Sequence, residues 1–214
     1  MKAVPMIFNT EMVKALLEGR KSVTRRPVKR AGIFNWVVCN RETGKRYTTN
    51  KDNPNQKWLE FPVNVGDLIW VRETFRLYSN TDECGCSDYC SCPPNGTPLY
   101  FATHDNGESK WKPSIHMPRS ASRLTLKVTD VRIERVQEIT DAQARAEGCW
   151  YGLGGGEVDL AVSPQDHFPT LWESLYGNWN ANPYVWVIEF KVIQQNVDSV
   201  ISEIEAGLEE SING

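Results

Sequence analysis

The sequence holds no run of about 18 apolar residues, so a membrane-spanning helix is not expected anywhere in its 214 residues. Its opening, Met1-Lys2-Ala3-Val4-Pro5, lacks the long apolar stretch of a secretory signal, which points to a cytoplasmic protein. Histidine is scarce. His104, His116 and His167 share no metal-ligand spacing, and each is read on its own. No internal repeat is present. Charge of either sign is in no large excess: the net value of −3 argues by itself for no partner. With 40% hydrophobic and 24% charged residues, the chain reads as an ordinary soluble globular protein able to bury a core.

The distribution of charge says more than its sum. Residues 1–47 carry eleven Lys/Arg against three Asp/Glu, whereas residues 194–214 carry five acidic residues and no basic one. A basic end on an acidic protein suits a small anionic or single-stranded ligand, and is too local for long duplex DNA. Eight tryptophans are many for this length; most belong to a core.

Helical spacing of Val13, Leu16 and Leu17 after an N-cap at Asn9 or Thr10 predicts a short first helix that ends at Gly19. Residues 28–62 are polar and broken, and form a hairpin across Thr43-Gly44. Gly66-Asp67 opens a strand over Leu68–Phe75, followed by a cysteine-containing polar insertion at 79–110. Two prolines five apart, Pro113 and Pro118, forbid a regular helix there. Leu124, Leu126 and Val128 alternate into a long strand that runs on through Val131 and Ile133. The capping-box pattern Thr140-Asp141-Ala142-Gln143 starts a helix that Gly148 ends. Gly152 to Gly156 reads as a loop, and an amphipathic helix around Phe168, Leu171, Trp172 and Leu175 closes at Gly177. Tyr184–Val192 is the last strand. Val197, Val200, Ile201, Ile204 and Leu208 then line one face of an acidic amphipathic helix suited to packing on a partner subunit. Strands dominate, with two or three short helices between them. The class is α+β, a small and mostly antiparallel β-barrel with a cysteine-rich insertion.

The stretch that organises this chain is Leu16-Leu17-Glu18-Gly19-Arg20-Lys21-Ser22-Val23-Thr24-Arg25-Arg26-Pro27. Gly19 suits the left-handed residue after a helix. In a straight strand Lys21 and Thr24 point to opposite faces, so they converge only if the backbone bends. A bent, basic, hydroxyl-bearing segment there serves either as an anion site or as a nucleophile–base pair. Elsewhere, Cys84, Cys86, Cys90 and Cys92 form a C-x-C-x3-C-x-C cluster whose four thiolates suit a tetrahedral structural zinc, with disulfides as the rival in an oxidising compartment. Cys39 and Cys149 are isolated packing residues. His116 is the best-placed histidine for lining a pocket, and Trp111 or Tyr78 for stacking a pyrimidine. Glu73 either recognises a base edge or pairs with Arg123. Arg119 and Arg123 take a phosphate or anchor their loop.

Together, Gly19–Arg26, the Gly66-Asp67 strand opening and the closing Val185-Trp186-Val187-Ile188-Glu189-Phe190 resemble the ASCH domain. That domain is a PUA-like β-barrel associated with RNA and nucleosides. The extended form here, with Val71–Phe75 and Trp111–Arg123, is similar to ASCH proteins of bacteriophages and prophages. The resemblance covers about residues 5–193, one domain over 1–193 with insertions near 28–62 and 79–110, and leaves 194–214 as the acidic tail. Small ASCH amidohydrolases acting on N4-acetylcytidine resemble the chain at this segment. Their lysine and threonine match Lys21 and Thr24. Their glutamate, seven residues after the threonine of a Leu/Ile-Thr-Asp/Glu helix start, matches Glu147. The resemblance implies an amidohydrolase removing an N4-acyl group from cytidine or a related nucleoside, with Thr24 as nucleophile, Lys21 as base and Glu147 as acid–base partner. Arg26 matches the family's arginine. With Arg20, Glu73, Trp111, His116 and Arg123 it forms the expected substrate-binding set. No cofactor is expected for catalysis. The alternatives are a non-catalytic module for single-stranded RNA and a ribonuclease using the same cations.

Overall fold

The computed structural model describes residues 1–28, 36–39, 46–49, 59–79, 91–104, 110–149 and 163–213. The class is α+β. Among the described residues ten strands run in chain order as β1 (Ala3–Ile7), β2 (Val23–Pro27), β3 (Trp36–Cys39), β4 (Arg46–Thr49), β5 (Leu59–Glu60), β6 (Leu68–Arg72), β7 (Phe75–Leu77), β8 (Pro98–Tyr100), β9 (Thr125–Arg135) and β10 (Tyr184–Ile193). The α-helices among the described residues are α1 (Thr10–Leu17), α2 (Asp141–Ala146), α3 (Pro164–Tyr176) and α4 (Val197–Asn213). A five-stranded sheet has the order β1-β6-β9-β10-β2, and β3-β4-β5 and β7-β8 form two small sheets. Among the described residues no closed barrel is seen.

The chain divides into two compact units. One comprises residues 1–2, 19–68 and 127–191, the other 3–18, 69–126 and 192–214. In the first, β2 pairs antiparallel with β10, with Thr24 opposite Ile188, Arg25 opposite Val187 and Arg26 opposite Trp186. Strand alternation therefore gives Val23 and Arg25 one face, shared with Val185 and Val187, and gives Thr24 and Arg26 the other. The first face builds the core: Val23, Val185 and Val187 are buried with Ala144, Phe168 and Trp172. On the second face Trp186 packs against Phe61, ring centroids 4.6 Å apart.

The helix ends follow from local chemistry. Thr140 accepts from the Gln143 N–H while the Gln143 side chain accepts from the Thr140 N–H, the reciprocal capping box expected from the sequence. Ser163 caps α3, Pro164 sits in its first turn, and Gly177 ends it in the left-handed conformation. In the 28–62 segment β3 and β4 pair antiparallel, with Cys39 opposite Arg46, and the predicted turn at Thr43-Gly44 lies outside the described residues.

In the second unit, α1 is capped by Asn9, whose side chain accepts from the Met12 N–H at 2.8 Å. Strand β6 is buried on both faces over Leu68–Val71, as its unbroken apolar run predicts. The predicted strand over 68–75 breaks at Glu73-Thr74 and resumes as β7, which pairs with β8 inside the segment read as an insertion. The 113–121 stretch holds only two short 3-10 turns, as its prolines require. At the start of α4, Val197 and Val200 are buried within this unit. Asn196 ties that start down by donating to the carbonyls of Arg119 (3.0 Å) and Ser122 (2.8 Å).

Gly19 has φ +72° and open space around a would-be Cβ, whereas Gly207 lies within α4 with no unusual φ and equally open space. Alanine at Gly19 is expected to cost about 1–2 kcal/mol through backbone strain, and alanine at Gly207 to gain up to about 1 kcal/mol through helix propensity. Urea unfolding of the two variants checks the opposite signs.

Candidate active site

Helix α2 is only six residues long and ends, as expected, at a left-handed Gly148, whose N–H and that of Cys149 satisfy the Arg145 and Ala144 carbonyls; the carbonyls of Ala146, Glu147 and Gly148 take partners from elsewhere in the chain. The Gly19–Ser22 segment supplies them. The Ser22 N–H donates to the Ala146 carbonyl at 2.9 Å, and Arg20 Nη1 donates to the Gly148 carbonyl at 3.3 Å. Between them, Lys21 Nζ donates to the Glu147 carbonyl at 2.9 Å. A cation at the negative end of a helix is also favoured electrostatically. The same ammonium donates to Glu147 Oε2 at 2.6 Å, so one side chain both caps the helix and pairs with its last carboxylate. Lys21 is completely buried and Glu147 nearly so.

The second carboxylate oxygen is held by a residue the sequence reading treated only as a neighbouring charge. Arg25 Nη1 donates to Glu147 Oε1 at 3.2 Å, and Arg25 Nη2 donates to Glu134 Oε2 at 3.2 Å. The Arg25 guanidinium also lies over the Phe168 ring, 5.9 Å from its centroid. Glu134 in turn accepts from Arg132, which also pairs with Asp130 and Glu189. Charges thus alternate from buried Lys21 through Glu147, Arg25 and Glu134 to Arg132. Burial pulls the Arg132 pKa down, but the three carboxylates together outweigh it and raise it.

Thr24 is fully buried, and its hydroxyl has no hydrogen-bond partner among the described residues. An orphaned buried hydroxyl costs about 1–3 kcal/mol and calls for an explanation. Arg26 Nη1 donates to the Tyr176 hydroxyl at 3.1 Å. Burial lowers the Lys21 pKa below its usual 10.5; the charge and hydrogen bond of Glu147 oppose this, and the Arg26 charge adds to it. The Cys149 thiol, buried in the same core as Phe168 and Trp172, is pushed up to about 12 by its burial and by Glu147, against the opposing pull of Lys21. It stays a neutral packing group at ordinary pH.

The remaining predicted residues fall in the other unit. Glu73 is buried and binds Arg123 through two bonds of 2.9 Å, so the pairing alternative is the one present. Arg123 also donates to the Thr103 hydroxyl at 3.1 Å and stacks 4.0 Å from the Tyr100 ring centroid. Trp111 is half-buried beneath the Arg76 guanidinium, 5.1 Å from its ring, and Tyr78 is buried. His116 is exposed on a 3-10 turn. Arg119 pairs with Asp198, anchoring its loop to α4. Of the cysteine cluster, Cys84, Cys86 and Cys90 lie outside the described residues, and Cys92 is half-buried with a free thiol. Among the described residues no helix is long and apolar enough to cross a membrane.

No protein-family model, no curated protein and no solved structure matches the chain. The site therefore stands on its own geometry. Sequence reasoning brought out Lys21, Thr24, Arg26 and Glu147 but passed over Arg25 and Glu134. The available signal was parity: on a strand through Val23–Pro27, Arg25 shares a face with Val23 and so turns toward the core.

Cys149 gives this site a pH signature. The unfolded thiol loses its proton from about pH 9, while the folded one keeps it to about 12. The folded state binds more protons in that window, so this group's contribution to stability falls as pH rises through it. The stability difference between wild type and Cys149→Ala is expected to shift against wild type by about 1.4 kcal/mol per pH unit above pH 9. Urea unfolding across pH 8–11 reads it.

Proposed function

We propose that the protein is an amidohydrolase of the ASCH, PUA-like kind that removes the acyl group from N4-acetylcytidine or a related N4-acylated cytosine nucleoside. The observation that carries this reading is the Lys21–Glu147 contact, which joins a loop lysine to a helix-end glutamate 126 positions away. The family resemblance names those two residues together with Thr24, whose buried hydroxyl is left without a described partner.

The chemistry follows from the groups at hand. A threonine hydroxyl is a weak nucleophile and needs a base beside it. Lys21, its pKa lowered by burial, serves once neutral. As Thr24 Oγ attacks the acetyl carbonyl carbon, its proton passes to the Lys21 amine and the carbonyl oxygen takes up the negative charge. Arg26 stabilises that oxyanion. Collapse breaks the bond to N4, and the departing amine receives a proton from the Lys21–Glu147 pair. Cytidine leaves, and an acetyl ester remains on Thr24. Water then attacks the ester, its proton returns through Lys21, and acetate is released with Thr24 restored. The net reaction consumes one water and needs no metal in these steps.

The rival readings, a ribonuclease or an RNA-binding module, need the same cations free to meet phosphate. Lys21 and Arg25 already neutralise Glu147 and Glu134, which leaves them little net positive charge to offer a phosphate.

Purified protein is expected to hydrolyse N4-acetylcytidine, followed by ultraviolet absorbance, and Lys21→Ala and Thr24→Ala each to lose at least about 100-fold in kcat/KM. Because neutral Lys21 is the active form, kcat/KM rises with pH and levels below 10.5. Turnover of this uncharged substrate is insensitive to salt, whereas RNA binding would weaken steeply. Well-folded wild-type protein without turnover would contradict the assignment.

A further inference from the structure

We propose that Arg25 is the positioning residue that lets Lys21 give up its proton, by remaining as the permanent counter-cation of the buried Glu147 carboxylate. The inference rests on the reading of Lys21 as the base. It concerns what makes that role physically possible.

A buried lysine paired with a buried carboxylate has a built-in difficulty. If Lys21 and Glu147 were alone, losing the lysine proton would strand a negative charge in the interior, which is strongly unfavourable. The pair would hold its proton and the base would be disabled. Here the two carboxylate oxygens are divided: Oε2 accepts from Lys21 and Oε1 from Arg25. Arginine keeps its charge at every accessible pH. When Lys21 becomes neutral, Glu147 retains a full cation at 3.2 Å. Glu134 keeps Arg25 itself from being an uncompensated buried charge, and Glu134 reaches the more exposed Arg132. The other groups that act on Lys21 are Arg26 from β2 and Cys149 just after α2, with Arg20 bound to the Gly148 carbonyl beside it. The cation bonded to Glu147 Oε1 is Arg25.

The test titrates Lys21 directly. In protein carrying 13C- and 15N-labelled lysine, the Lys21 side-chain signal is assigned by its loss in Lys21→Arg and followed against pH. Arg25→Met is expected to raise the Lys21 pKa by at least about one unit over wild type. Arg25→Lys, which keeps a cation there, brings it back toward wild type. An unchanged or lowered value in folded Arg25→Met overturns the proposal. Should Arg25→Met fail to fold, Glu134→Gln decides, since Glu134 is partly exposed. Removing that carboxylate leaves more of the Arg25 charge acting on Glu147, so the Lys21 pKa falls, and an unchanged or raised value overturns the proposal. The titration needs no substrate. A protein that fails to hydrolyse N4-acetylcytidine sinks the amidohydrolase reading while leaving this result legible. With turnover present, the rising limb of the Arg25→Met pH–rate profile moves to higher pH in step with the titration.

Discussion

A left-handed glycine cap at Gly148 satisfies the Ala144 and Arg145 carbonyls at the end of α2, and the next three carbonyls are met by the Gly19–Ser22 segment. Three successive residues, Arg20, Lys21 and Ser22, bond to the carbonyls of Gly148, Glu147 and Ala146. This constraint fixes where the lysine points. It also draws the ammonium out of water, a step costing several kcal/mol unless hydrogen bonds and an opposite charge compensate. Glu147 supplies both from the helix end itself, and Arg25 and Glu134 carry the compensation onward toward the surface. The fold of this unit and its candidate chemistry thus share one set of hydrogen bonds.

Local signals were legible where chemistry is local. Asn9, the Thr140/Gln143 pair and Gly177 announce helix ends in the sequence and stand at helix ends in the structure. The apolar runs at Leu68–Val71 and Tyr184–Val192 are long enough to mark strands without ambiguity. Strand β1 was not legible: Ala3–Ile7 is short and contains a proline, and it is strand only because β6 lies beside it. For the same reason β8 was hidden in a polar stretch, since its pairing with β7 is not local.

The site was legible in part. Spacing made the convergence of Lys21 and Thr24 conditional on a bend, and the contact between Lys21 and Glu147 could be expected only from the family resemblance. Arg25 escaped because four basic residues within seven positions look like a solvated loop. Strand parity with Val23 was the signal that turns Arg25 inward, and the pairing of β2 with β10, Arg25 opposite Val187, bears it out. A similar lesson comes from Glu73 and Arg123. The sequence left Glu73 open between reading a base edge and pairing with Arg123, and the pair is what the structure shows.

Thr24, whose hydroxyl has no hydrogen-bond partner among the described residues, is the group we propose to take the acyl chain. Protein quenched in acid during turnover of N4-acetylcytidine and analysed by peptide mass spectrometry tests this directly. The account predicts an acetyl group on Thr24, accumulating further in Glu147→Gln, where proton delivery and return are impaired. Formation of cytidine with Thr24 unmodified at every quench time, in wild type and Glu147→Gln alike, would contradict it.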